Sequence, residues 1–164
     1  MIGMRFLTPL VLACGLVACG AKAPKTTDVN IGYRNPTAII GGTSRFDAAK
    51  FSGDWISISC LGPCARRERY EAATDGVYLR TVGGKAEDYV IAAPGVLNRQ
   101  GSSDRLVVMW VDTGFRTAVI GDADGRWAAI LDRSEKPGQD RIAAAIEILD
   151  FNGWDTSRLQ EVNR

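Results

Sequence analysis

An all-β sandwich or barrel with one packed helix is the fold class the sequence predicts. Two observations carry it. From Phe51 onward, short runs rich in β-branched and aromatic residues are separated by turn signals at the spacing of all-β domains, about every 8–12 residues. Near the C-terminus a single stretch changes to helical period. The 164 residues suit one domain, and 46% hydrophobic with 24% charged residues are ordinary globular values.

The first predicted strand covers residues 55–59 and runs into Cys60-Leu61-Gly62-Pro63-Cys64. Strands over 67–73 and 77–82 flank the turn Thr74-Asp75-Gly76. Gly83-Gly84 turns the chain into 89–92, and Pro94-Gly95 leads to a short segment over 96–98. After the polar loop 100–103 comes 106–111, the most apolar run. Asp112-Thr113-Gly114 turns it into 115–120, and Asp122 to Gly125 turns that into 126–131. Asp-rich turns ending in Gly suit tight hairpins because Gly tolerates positive φ. Eight strands result, each joined to its neighbour. Pro137 marks a helix start, Ile142, Ile146 and Leu149 recur at i, i+4 and i+7, and Asn152-Gly153 ends the helix. Its apolar stripe packs on the outside of the β-structure. Residues 158–162 are read as a last strand.

The N-terminal residues are not fold. Residues 1–18 form a lipoprotein signal peptide, with Arg5 as the positive region and an apolar stretch too short for a bilayer span of ~20 residues. It ends Leu16-Val17-Ala18-Cys19-Gly20, which resembles a bacterial lipobox. The resemblance implies that Cys19 is lipidated and becomes the N-terminus. Gly20 rather than Asp after it implies the outer membrane. Residues 19–45 are read as a tether and 46–164 as the folded domain. Losing residues 1–18 removes Arg5 from the 20 basic residues and none of the 19 acidic, leaving a formally neutral chain.

Composition excludes several functions. Histidine is absent, which removes Ser-His and Cys-His nucleophiles, imidazole bases and His-containing metal sites. Balanced charge gives no nucleic-acid footprint. No catalytic residue, metal or cofactor is assigned. Cys14 leaves with the signal peptide and Cys19 with the lipid, so Cys60 and Cys64 remain, a disulfide staple or a redox pair. The staple is the preferred reading, because no thioredoxin-like pattern surrounds them.

Phe51-Ser52-Gly53-Asp54-Trp55-Ile56 resembles the first signature of the lipocalins, and residues 46–50 resemble the short helix that plugs the barrel floor in that family. Residues 115–121 and 127–133 resemble the late strands of bacterial outer-membrane lipocalins, and 153–159 the segment after the helix. The resemblance implies an eight-stranded up-and-down antiparallel β-barrel with one C-terminal helix outside. It implies that Gly53, Trp55 and Arg133 form the fold signature, with Arg133 over the Trp55 ring. The stretch 96–121 is shorter than its counterpart in typical bacterial lipocalins, which implies a smaller or more open cavity. It also implies a lipid-anchored periplasmic protein that binds a small hydrophobic ligand of the fatty acid or lysophospholipid class. The bacterial family includes homodimers. The run 106–111 is apolar on both faces, Leu106, Val108 and Trp110 on one and Val107, Met109 and Val111 on the other. Alternation therefore does not choose between lining the cavity and packing outside. The face with the tryptophan, together with Trp127 and Ala129, is the expected ligand-binding set. Arg66, Arg67 and Arg69 are expected near the open mouth, as a solvated rim in preference to partners for an anionic head group. The alternative is a structural or protein-interaction lipoprotein with a filled barrel and no ligand.

Overall fold

The computed structural model describes residues 32–73 and 76–162. The signal peptide, Cys19 and the first part of the tether lie outside the described residues. A short helix α1 (Ala48–Phe51) opens the barrel region, with the Asp47 carboxylate accepting from the Lys50 amide. There follow β1 (Gly53–Leu61), β2 (Arg67–Ala72), β3 (Val77–Val82), β4 (Lys85–Ala93) and β5 (Val96–Arg99). Then come β6 (Arg105–Val111), β7 (Thr117–Asp122), β8 (Ala128–Asp132), helix α2 (Gln139–Phe151) and a two-residue β9 (Gln160–Glu161). From β1 to β8 each strand pairs antiparallel with the next, and β8 pairs with β1. β1 also pairs with β2, so the sheet closes into an eight-stranded up-and-down barrel with no gap at the shortened middle. β9 adds to the β1 edge at Ser59 and Cys60, above the point where β2 diverges.

Alternation along the strands sorts side chains into two cores. Inside the barrel lie Trp55, Tyr70, Tyr78, Tyr89, Leu97 and Leu131 with their neighbours, and Phe51 of α1 plugs the floor beneath them. Outside, Val107, Val119, Ala128 and Ile130 of β6–β8 meet Ala145 and Leu149 of α2, with Trp154 wedged in. Helix α2 ends as its sequence predicts. Gly153 sits at φ 82°, its amide donates to the Asp150 carbonyl, and the Trp154 amide donates to that of Leu149. This is the Schellman arrangement with its apolar clasp, here Trp154 on Leu149.

Three expectations are corrected. Residues 32–45, read as tether, lie on the domain. The Tyr33 amide donates to Gly125, Arg34 is buried and bridges Trp154, and the Thr43 amide donates to Val108. Trp110 does not share a face with Leu106 and Val108. A β-bulge between Val108 and Trp110 inserts one residue, so Met109 and Trp110 both join the outer core and Val111 returns to the interior. In the β6–β7 turn the positive φ falls on Phe115 (53°), not on Gly114. There the Asp112 carboxylate gathers the amides of Gly114, Arg116 and Thr117 while the Phe115 ring packs against the barrel interior.

Candidate functional site: the barrel mouth

The closed end is built around Trp55. Its indole N–H donates to the Phe51 carbonyl at 2.8 Å, and the Arg133 guanidinium lies 3.7 Å from its ring centroid. Arg133 also donates to the carbonyls of Ser52, Phe51 and Asp54 at 2.9, 3.0 and 2.7 Å. Gly53, at φ 104°, lies where an added Cβ would come 3.1 Å from Arg133 Nη1. These three residues lock the floor of the barrel.

Tyr70 and Tyr78 pack on the plug, and above them polar groups lead to the opposite end. Glu68 and Tyr70 of β2, Tyr78 and Arg80 of β3, and Glu87 and Tyr89 of β4 are spaced two apart and share the inward face. Tyr70 donates to Glu68 Oε2 at 2.7 Å, and Arg80 Nε donates to the same oxygen at 2.9 Å. Glu68 is buried and its Oε1 has no hydrogen-bond partner among the described residues. Arg80 stacks 4.7 Å over Trp127 and reaches Glu87 at 3.6 Å. Glu87 accepts from Tyr89 and pairs with Arg99 at 3.2 Å. Arg99 pairs with Asp104 at 3.2 Å, Asp104 with Arg126 at 2.6 Å, and Arg126 with Asp122 at 2.5 Å. Alternating charges thus run across the mouth from β2 to the β7–β8 turn.

The chain of partners sets the ionisation of its members. Burial pushes the Tyr70 and Tyr89 phenols up, with the neighbouring carboxylates adding to it. Burial opposes the Arg80 charge, but facing Tyr70 and Glu68 hold its pKa above the ordinary value. The Arg126 hydrogen bond holds the Asp104 carboxyl below the usual range, and Asp122 in turn raises Arg126.

A recess of about 270 Å³ opens among these groups. Tyr89, Leu106, Trp127 and Pro63 give it apolar wall, while Arg99, Arg105 and Arg126 give it a basic rim. Below it, Tyr70, Tyr78, Trp55 and Phe51 occupy the lumen. Of the expected ligand-binding residues, Leu106 and Trp127 line the recess, and Val108 and Ala129 lie deeper, buried in the inner core. Trp110 is on the outer wall. Cys60 and Cys64 form a disulfide, with both residues packed against the inner core. The three arginines after the cysteine loop are not at the mouth. Arg66 and Arg67 pair with Glu135, and Arg69 with Asp54 and Glu71, on the outer wall. Their positions follow from the early pairing of β2 with the start of β1, where Ile56 faces Arg67. The mouth arginines went unassigned in the sequence, although the repeated charged-x-aromatic spacing of β2, β3 and β4 carries a signal.

No family model matches the chain, and no curated protein matches it. Among solved structures, a crystal structure of apocrustacyanin C1 aligns at a TM-score of 0.51 and 12% identity. The alignment covers 70% of this chain and 78% of that one. With the closed barrel, the plugged floor and the outer helix in place, that likeness decides the architecture. The fold is lipocalin-like. In lipocalin-like terms the recess lies at the open end of the barrel, opposite the plug.

Proposed function

We propose that this lipocalin-like protein is a non-enzymatic binding protein that takes a small amphiphilic ligand at its barrel mouth. The observation that carries the reading is the recess itself, lined by aromatic and aliphatic side chains together with arginines and their carboxylate partners. Binding pockets commonly combine apolar lining with a few polar groups that fix orientation. The filled lumen favours a ligand whose apolar part is short, or one that leaves most of a fatty-acid or lysophospholipid chain outside the barrel. We further propose that Cys19 is lipidated and that the domain faces the periplasm from the outer membrane. The lipobox supports this, and a disulfide between Cys60 and Cys64 suits an oxidising compartment.

A second reading, an interaction lipoprotein without a ligand, is favoured by the packed lumen, where Trp55, Tyr70 and Leu97 have no exposed surface. Native mass spectrometry separates the two. The Cys19→Ser chain, exported and purified without detergent, is expected to carry an adduct that Trp127→Ala removes. A bare mass that stays bare after adding short-chain amphiphiles overturns the binding reading and leaves the second. The same spectrum reports whether the chain is a monomer or a homodimer. Palmitate labelling of the native chain, absent in Cys19→Ser, tests the anchor separately.

A further inference from the structure

Two arginines at the mouth are held in place twice over. Arg99 is fixed from below by Glu87 and Arg126 by the buried Asp122, each through its own ion pair. Asp104 bridges the two, Oδ2 to Arg99 and Oδ1 to Arg126, while Asp124 lies 3.8 Å from Arg126 at the surface. One carboxylate with an oxygen on each of two guanidiniums is the contact an anionic ligand head group would make. Asp104 is also more exposed than the two carboxylates that anchor the arginines, at 31% against 25% for Glu87 and 3% for Asp122.

The backbone at Asp104 is fixed independently of its carboxylate. The Arg99 amide donates to the Asp104 carbonyl, and the Asp104 amide donates to Ser102 Oγ. A turn of the Asp104 side chain about χ1 therefore frees both guanidiniums without opening the β5–β6 hairpin. The neighbouring Arg105 lines the same recess and has no carboxylate within 4.0 Å among the described residues; its guanidinium donates to the Asn98 side chain. An incoming anion would thus meet two pre-placed guanidiniums and one uncompensated cation.

We propose that Arg99 and Arg126 form an anion-recognition site for a carboxylate or phosphate-monoester head group, occupied in the unliganded protein by Asp104. The inference rests on the mouth-binding reading and adds a regulator to it. A ligand must displace a resident competitor, so its apparent dissociation constant is the intrinsic one divided by the fraction of molecules in which the site stands open. The apolar body of the ligand lies against Trp127 and Leu106, while its charged end replaces the Asp104 carboxylate.

Calorimetric titration of the full chain carrying Cys19→Ser tests this, with hexanoate, hexyl phosphate and uncharged hexan-1-ol as probes. Asp104→Asn keeps the shape and removes the competing charge. It is expected to bind the anionic probes about tenfold more tightly than the parent, as follows if the site stands open in about a tenth of molecules. Hexan-1-ol should bind both proteins alike, and adding Arg126→Gln or Arg99→Gln to Asp104→Asn should abolish the gain. Hexanoate and hexyl phosphate distinguish a carboxylate head group from a phosphate one. Thermal unfolding confirms that Asp104→Asn is folded, and Asp104→Ser serves as a second variant with the same expected gain. Anion affinity that is unchanged or weakened in both Asp104 variants overturns the proposal, as does a gain that survives loss of either arginine. Binding of hexan-1-ol without any anion binding removes the anion site and leaves the mouth-binding reading standing. No binding by any probe removes both.

Discussion

Replacing Arg133 tests whether the floor of the barrel is held by one side chain. Its guanidinium lies 3.7 Å over Trp55 and donates to backbone carbonyls on both sides of the α1–β1 junction. A partly desolvated cation–π contact contributes about 1–2 kcal/mol. The bonds to Phe51 and Ser52 are the shielded ones, at about 1 kcal/mol each, while water can replace the more exposed bonds. Arg133→Ala should therefore lower the unfolding free energy by about 3–4 kcal/mol. Arg133→Lys keeps the charge but loses the planar fork, and should recover no more than about half of that loss. Urea titration followed by tryptophan fluorescence reads both, with an unchanged slope showing that the same surface is exposed on unfolding. A loss under about 1 kcal/mol for Arg133→Ala, or a lysine variant as stable as the parent, would refute the argument.

Other perturbations probe the remaining contacts. At Gly121, an added Cβ would lie 2.7 Å from Trp154 Cζ2 and 3.1 Å from Met109 Cε, so Gly121→Ala should cost about 1–3 kcal/mol in the same titration. A Cys60→Ser, Cys64→Ser pair opens a short covalent ring and should cost about 2 kcal/mol, leaving the far-ultraviolet spectrum of the barrel intact. The buried tyrosines predict an alkaline limit. Burial first raises Tyr78 to about 12 and also raises Tyr70 and Tyr89, so the native state keeps these phenols neutral where the unfolded chain ionises them. Their contribution is whole below the unfolded value near 10 and fades as pH rises toward about 12. Phenolate absorbance at 295 nm should then rise together with loss of structure; ionisation of all tyrosines well before unfolding would contradict this.

Most of the architecture was legible because strand alternation and turn chemistry are local. The Gly83-Gly84 hairpin and the close of α2 at Asn152-Gly153 depend on residues adjacent in sequence, and the structure has them there. What escaped depends on pairing. Nothing within residues 106–111 announces that an extra residue will be inserted opposite β7, and that insertion alone moves Trp110 to the outer wall. The turn after β6 misled for a similar reason. Gly114 is the residue best able to adopt positive φ, yet Phe115 adopts it, a costly choice offset by the three amides collected by Asp112 and by partial burial of the ring. The mouth was half legible. Trp127 is legible from the period-two face it shares with Ala129 and Leu131, and Leu106 from a face assigned on Trp110, which the bulge then moves away. Arg80, Arg99 and Arg126 look solvated when taken singly, and only closure of the barrel brings them to one opening.

The filling of the lower lumen has a mechanical consequence. Unfolding under hydrostatic pressure is driven largely by elimination of internal voids. A lipocalin-like barrel packed with Phe51, Trp55, Tyr70, Tyr78 and Leu97 has little empty space to surrender. Compression should therefore leave this barrel folded at pressures that collapse a hollow barrel of equal strand number, and the small volume change that remains should come from the mouth.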